Sequence, residues 1–405
     1  MKKILVSIVA MIMACAGLMS CVPTSAPGEP NYADCAVRIA QSEMMHNPEL
    51  WMADFLSKPK WDYTQGLIAQ AMLETYRQTG DTTYLNYVLR FADYFIQDDG
   101  SILTYKLESH NLDRLNGGNF LFFLDSCYPG EQKYASAIRL LRSQLLTQPR
   151  TTEGGFWHKQ IYPWQMWLDG LYMAEPFYAH YAVWANEDSI YNDVVRQFHI
   201  VDKHTLNVAT GLNYHGWDES IAQAWADGIS GCSAHTWGRA EGWYVMAICD
   251  VLDYLPKNHA GRDELIAILN RVCRTLAGYQ DAQTKMWYQI PDMPDAEGNY
   301  TESTCTAMFC YAMAKGARMG YLPEEYLAIA RSAFAGMWAN AVETNEDGTL
   351  SLKRCCAVAG LGGNPYRSGT YDYYINERVR DDDPKGIGPL ILAAWELNKS
   401  KDKQL

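Results

Sequence analysis

Apolar residues recur at helical spacing along most of the chain, whereas the strict alternation typical of a β-strand is scarce. Residues 67–76, for example, carry apolar side chains along one face of a helix, and Gly80-Asp81 follows as a typical helix end. The pattern therefore predicts an all-α protein.

A weak repeat organises these helices. In six places a loop rich in aromatic and polar residues carries a glycine or another small residue just before an apolar helix, and a more polar helix follows. These helix-start segments are residues 61–66, 111–118, 167–170, 237–243, 300–304 and 383–388. Six helix pairs can close into a double ring, so we predict an (α/α)6 barrel. Because inner helices of such a ring begin at one mouth, the six segments should surround a single cleft.

The N-terminus is expected to be an export signal. Lys2 and Lys3 precede an apolar run over residues 4–19, which ends in Leu18-Met19-Ser20-Cys21. Small residues before a cysteine at this place form a lipobox, so Cys21 is expected to be acylated; an ordinary cleaved signal is the alternative. We interpret residues 1–21 as a lipoprotein signal peptide, 22–31 as a flexible tether and 32–405 as one (α/α)6 domain. The protein is then lipid-anchored in the bacterial cell envelope, facing the periplasm.

Composition excludes several classes of function. The formal net charge is −13 and no cluster of Lys and Arg stands out, which argues against nucleic acid as a partner. No later apolar run is long enough to span a bilayer, so the lipid is the expected membrane contact. The nine cysteines after Cys21 include no CxxC pair and no His at zinc spacing, so no metal site is expected.

Aromatic residues point to a carbohydrate ligand, because the apolar faces of sugars stack on aromatic rings. The chain has 13 Trp and 27 Tyr. Most of these rings are expected in the core, but Trp61, Trp167, Trp237 and Trp243 lie in helix-start segments beside ionisable groups. Sugar binding in the cleft is therefore the favoured interpretation.

Two carboxylates are candidate catalysts. Asp169 lies among large apolar residues at a helix start, where burial disfavours the charged form, as suits a proton donor. Asp113, in His110-Asn111-Leu112-Asp113, has a similar setting one inner helix earlier. Asp is also a favoured helix N-cap, so a purely structural role is an equal alternative for each. Glycosidases use pairs of acids, which favours catalysis.

Basic and imidazole groups lie in or beside the same segments: His158, Lys159, His215 and Arg239. An anionic sugar needs such partners, and Arg offers a carboxylate a bidentate grip. Taken singly, each is better explained as part of an internal salt bridge or as a buried polar residue with satisfied hydrogen bonds. A functional interpretation of these four residues therefore depends on their occurrence together.

Residues 157–173, 214–218 and 237–243 together resemble the unsaturated rhamnogalacturonyl hydrolases of glycoside hydrolase family 105, which are related to the unsaturated glucuronyl hydrolases of family 88. The resemblance extends from about Trp61 to Trp395. It implies an (α/α)6 barrel without metal or other cofactor. It also implies a substrate, the 4,5-unsaturated uronic acid that a pectin lyase leaves at a non-reducing end.

The resemblance also assigns residues. Asp169 matches the general acid/base, and Asp113 matches a second acid near the sugar hydroxyls. Leu112 departs from the Met that the family has beside this acid, a conservative change. The expected substrate-binding residues, with Tyr63 the less certain match and Trp167 included for its ring, are Tyr63, His158, Lys159, Trp167, His215, Trp237, Arg239 and Trp243.

The expected activity is therefore removal of unsaturated galacturonic acid from rhamnogalacturonan oligosaccharides, by hydration of the vinyl ether double bond. Two alternatives stay open. The protein could act on unsaturated glucuronyl ends of glycosaminoglycan or other lyase products, because the residues that contact the leaving sugar are not evident. It could also be a sugar-binding lipoprotein without chemistry, against which the two intact acids argue.

Overall fold

Six helical hairpins build the fold, and each inner helix begins in one of the six predicted segments. The inner helices are α2 (Tyr63–Thr79), α4 (Asp113–Asn116) continued by α5 (Leu121–Cys127), α7 (Leu168–Ala185), α9 (Gly238–Val251), α11 (Ser303–Met319) and α14 (Pro384–Lys401). The outer helices are α1 (Tyr32–His46), α3 (Thr82–Phe95), α6 (Gln132–Thr147), α8 (Ile190–Thr205), α10 (Arg262–Gly278) and α12 (Glu325–Ala341).

The inner helices form a closed ring. Each packs against the next, and α14 returns to α2. Helix α1 packs on α14 and completes the sixth pair, so the first and last helices of the barrel domain's sequence lie side by side. Residues 303–316 of α11 are buried all round, whereas α8 buries one face, as expected for inner and outer layers. The predicted (α/α)6 barrel is confirmed.

Side chains cap some of the inner helices. Asp62 accepts a hydrogen bond from the Tyr63 amide at the start of α2, and Glu302 accepts one from the Cys305 amide at the start of α11. Helix α7 begins after Trp167, which forms no side-chain cap. Asp169 is thus the second residue of its helix and not its N-cap. Asp113 is likewise the first residue of α4 and not the capping residue.

Short antiparallel strand pairs connect the loops: β1 (Gln165–Trp167) with β2 (Gly216–Asp218), β3 (Trp287–Tyr288) with β4 (Thr301–Glu302), β5 (Val342–Thr344) with β6 (Leu350–Leu352), and β7 (Cys355–Cys356) with β8 (Val379–Arg380). In the first pair Trp167 lies opposite Gly216, which brings His215 to the start of α7. A short helix, α13 (Tyr371–Ile375), and two 3₁₀ helices (Leu50–Phe55 and Leu107–Ser109) complete the secondary structure of residues 30–401.

The computed structural model describes residues 30–401. Residues 31–401 belong to one compact unit. The predicted signal peptide, Cys21 and most of the tether lie outside the described residues, so the lipid anchor stays a prediction. Within residues 30–401, no helix combines the length and the apolar character needed to cross a membrane.

Candidate active site

Asp113 is fixed between two basic side chains. His158 Nε2 lies 3.1 Å from Asp113 Oδ1, and Lys159 Nζ lies 2.5 Å from Asp113 Oδ2. Burial opposes ionisation of Asp113, but Lys159 and His158 outweigh it and hold the pKa of this carboxyl well below its usual range. Asp113 is therefore a carboxylate at every physiological pH.

Asp169 has a different environment. Its Oδ2 atom is buried and lies 3.1 Å from His215 Nε2, although the ring N–H is not aligned on this oxygen. The Asp169 side chain is 14% exposed, whereas His215 is fully buried. Asp169 thus contacts an imidazole, in contrast to the lysine and histidine pair that holds Asp113.

Gly170 brings the two acids into one site. A Cβ atom at this position would lie 2.9 Å from His158 Nδ1 and 3.4 Å from Leu112 Cδ1. The first turn of α7 therefore packs directly on the histidine that contacts Asp113. Glycine is required at position 170 because a side chain there would prevent the close approach of α7 to His158.

Trp167 lies between the two histidines. Its ring stacks on His158, with centroids 4.7 Å apart and planes at 18°, and meets His215 edge-on at 5.6 Å. Tyr162 also stacks on Trp167, at 4.9 Å. Trp167 is only 5% exposed, so its evident role is to hold both imidazoles in place.

The other predicted aromatic residues lie deeper. The Tyr63 and Trp243 rings meet edge-on at 6.1 Å, and Trp243 stacks on Tyr172 at 4.7 Å. Trp237 lies 4.9 Å from the His215 ring. Trp237 and Trp243 are each 1% exposed and belong to the hydrophobic core. Their role in binding sugar stays a prediction.

Arg239 contacts other protein groups. Its Nε donates to Thr304 Oγ1 at 2.8 Å, its Nη2 donates to the Cys356 carbonyl, and Glu302 Oε1 lies 3.7 Å away. The side chain is 1% exposed. The contact with substrate predicted from the sequence therefore stays untested, while an internal role is evident.

The C-terminal segment supplies residues that the sequence did not assign. Arg367 Nη2 donates to the Tyr162 hydroxyl at 2.7 Å, which joins the loop around residue 367 to the segment that carries His158. The Tyr374 hydroxyl lies 2.7 Å from His215 Nδ1. The glycines at 360–363 and the tyrosines at 371–374 are visible in the sequence, but no local pattern links them to the site.

The chemistry available here is proton transfer. One carboxylate is permanently charged, and the other is partly exposed beside an imidazole. Residues 30–401 contain no group of three or more His, Cys, Asp or Glu side chains that could hold a metal ion.

Known proteins that resemble this chain include glycoside hydrolases. The sequence profile of Glycosyl Hydrolase Family 88 matches residues 35–401. A solved glycoside hydrolase from family 105 of C. acetobutylicum ATCC 824 is 41% identical, with a TM-score of 0.86 over 90% of this chain and 99% of that chain.

Two further relatives are more distant. The unsaturated rhamnogalacturonyl hydrolase YesR of Bacillus subtilis (strain 168) is 25% identical over 264 residues, which cover 64% of this chain and 72% of that protein. The unsaturated glucuronyl hydrolase of Bacillus sp. GL1 shares the fold, with a TM-score of 0.65 at 13% identity over 91% of this chain and 96% of that chain. The chain therefore belongs to the glycoside hydrolases of families 88 and 105, a group of hydrolases for unsaturated glycosyl ends.

Proposed function

We propose that this glycosidase removes the 4,5-unsaturated galacturonic acid from the non-reducing end of rhamnogalacturonan oligosaccharides. The supporting observation is the contrast between its two acids. Lys159 and His158 hold Asp113 as a carboxylate, whereas Asp169 contacts an imidazole and keeps 14% of its side chain exposed. A site with one fixed charge and one acid free to exchange a proton suits hydration of a double bond.

Asp169 is the proposed acid. The unsaturated ring contains a vinyl ether, and protonation of carbon 4 by Asp169 leaves a positive centre at carbon 5 that the ring oxygen stabilises. Water then adds at carbon 5 and returns a proton to Asp169. The resulting hemiketal opens, the bond between carbon 1 and the leaving sugar breaks, and a 5-keto-4-deoxyuronate is released.

Asp113 and Lys159 are the proposed binding and electrostatic groups. The fixed charge of Asp113 accepts hydrogen bonds from sugar hydroxyls and favours the positive centre as it forms. Lys159 carries three donors, and its side chain is 21% exposed, so it can serve Asp113 and an anionic sugar together. The pectic substrate is favoured because YesR, a relative matched over more than half of this chain, is an unsaturated rhamnogalacturonyl hydrolase.

The test uses purified protein lacking residues 1–21 and unsaturated galacturonyl-rhamnose. The conjugated alkene absorbs in the ultraviolet, so turnover appears as loss of absorbance. We expect loss with the parent protein and with Asp188→Asn, a surface control just after α7, but not with Asp169→Asn. Persistent absorbance in every sample would refute the proposal. Turnover of an unsaturated glucuronyl disaccharide instead would identify the alternative enzyme, and no turnover of either would favour a binding protein.

A further inference from the structure

A buried tyrosine forms the end of a chain of contacts that leads to Asp169. Tyr374 lies in α13 and is 0% exposed. Its hydroxyl oxygen is 2.7 Å from His215 Nδ1, and His215 Nε2 is 3.1 Å from Asp169 Oδ2. Three residues from distant parts of the chain thus form one line, from the C-terminal segment to the first turn of α7.

The tyrosine is held rigidly and stays protonated. Its carbonyl accepts a hydrogen bond from Gln289 Nε2 at 3.1 Å, and its ring stacks on Trp237 at 6.1 Å. Burial raises the pKa of Tyr374 well above its usual range, and the nearby Tyr373 and Asp169 add to this effect. Its hydroxyl therefore always carries a hydrogen to donate.

We propose that Tyr374 is a positioning residue: it donates its hydroxyl hydrogen to His215 Nδ1, fixes the Nε2–H tautomer of this histidine, and so assigns Oδ1 of Asp169 as the oxygen that exchanges protons with substrate and water. The proposal rests on the proposed function for the role of Asp169. It adds Tyr374 to the residues of the site and assigns different roles to the two carboxylate oxygens of Asp169.

The argument follows from the two nitrogens of a neutral imidazole, of which one donates and the other accepts. If Nδ1 accepts from Tyr374, Nε2 carries the hydrogen and faces Asp169 Oδ2. An oxygen that accepts this hydrogen is not the one that carries the acidic proton, so the proton sits on Oδ1. Burial of Oδ2 supports the assignment, because it leaves Oδ1 as the oxygen for the cleft.

Proton transfer then leaves the histidine and tyrosine unchanged. The Oδ1–H bond breaks when carbon 4 is protonated, and Oδ1 takes a proton back when water adds at carbon 5. The contact of Oδ2 with His215 persists through both steps. Its poor alignment in this structure is common in active sites before substrate binds.

Titratable groups near this line belong to two parts of the chain. Asp169 faces His215 from α7, while Tyr373, Arg367 and Cys356 of the C-terminal segment contribute to the electrostatics of Tyr374. Loss of the tyrosine hydroxyl would leave Nδ1 of His215 without its donor, so the Nδ1–H tautomer would become available.

The first experiment measures kinetics of Tyr374→Phe, which keeps the ring and removes the hydroxyl. We expect kcat to fall about tenfold, as for loss of one hydrogen bond, with KM changed less than about twofold. The control is Tyr371→Phe, whose hydroxyl binds the Glu297 carbonyl at 3.0 Å on the exposed side of α13. An unchanged kcat, or a rise in KM alone, would overturn the proposal.

The second experiment does not depend on activity. Protein with ¹⁵N-labelled histidine is studied by NMR, and the His215 signals are assigned by their loss in His215→Gln. We expect Nε2 to carry the hydrogen in the parent protein and the Nδ1–H form to appear in Tyr374→Phe. An Nδ1–H tautomer in the parent protein would refute the tyrosine role even if turnover is as proposed. Absence of turnover with the expected tautomer would refute the proposed function instead.

Discussion

Replacement of Arg239 by Ala tests whether this arginine serves the fold or the substrate. The structure buries its guanidinium against Glu302, which is 0% exposed. Glu302 also accepts hydrogen bonds from the Thr304 hydroxyl at 2.8 Å and from the amides of Cys305 and Cys356 at 2.7 and 2.8 Å. Arg239→Ala therefore leaves a buried carboxylate with its neutral donors but without its cation.

The expected loss of stability is large. Removal of one partner of a buried ion pair costs about 3–5 kcal/mol. Glu302 keeps three donors, so we expect a value near the lower end, about 3 kcal/mol. In the double variant Arg239→Ala/Glu302→Gln the buried charge is gone, and we expect recovery of roughly 1–2 kcal/mol. Arg239→Lys keeps the charge but cannot reproduce the planar set of donors.

Urea unfolding at 25 °C, followed by tryptophan fluorescence and circular dichroism, measures these differences. KM for the unsaturated disaccharide is determined on the folded variants in parallel. If Arg239→Ala were as stable as the parent protein within about 0.5 kcal/mol while KM rose, the structural reasoning would be wrong and direct substrate binding would be favoured.

Two further changes test the geometry around Asp113. In Lys159→Met the cation beside Asp113 is removed, so the pKa of Asp113 rises. Because Asp113 is needed as a carboxylate, the acidic limb of the kcat/KM profile should move to higher pH, and an unmoved limb would exclude this role. In Gly170→Ala the new Cβ would approach His158 Nδ1 to 2.9 Å and displace it, so kcat/KM should fall by roughly 10²-fold. Gly278→Ala, where a Cβ would meet nothing within 4 Å, is the control, and equal activity of the two variants would contradict the packing argument.

The helix pattern predicted the barrel because the start of each inner helix has a recognisable local sequence. Near the starts of three inner helices a Cβ atom would clash with neighbouring groups, and these positions are glycines: Gly66, Gly170 and Gly242. Glycine at these positions therefore indicates close packing between helices. The two-residue and three-residue strands were not predicted, since alternation cannot be recognised over so short a length. Hydrophobic periodicity therefore identified the inner and outer helices but not the strand pairs that connect the loops.

The burial of individual rings and the contacts between residues far apart in the chain could not be predicted from the sequence. The prediction that Trp237 and Trp243 bind sugar came from the composition of the helix-start segments, and it stays a prediction. That composition did not indicate that each ring is 1% exposed, because it does not tell how far a ring inserts into the barrel. Tyr374 and Arg367 reach their partners 159 and 205 residues away in the chain. Such pairings depend on closure of the ring and leave no local signal.

The most direct test of the proposed chemistry is the reaction in deuterium oxide, followed by NMR from its first minutes. Hydration predicts that the alkene signal disappears in step with release of the leaving sugar, and that one deuterium enters carbon 4 on a single face. Early accumulation of free unsaturated galacturonic acid, with its double bond intact and no deuterium at carbon 4, would show ordinary cleavage at carbon 1 and contradict the role given to Asp169.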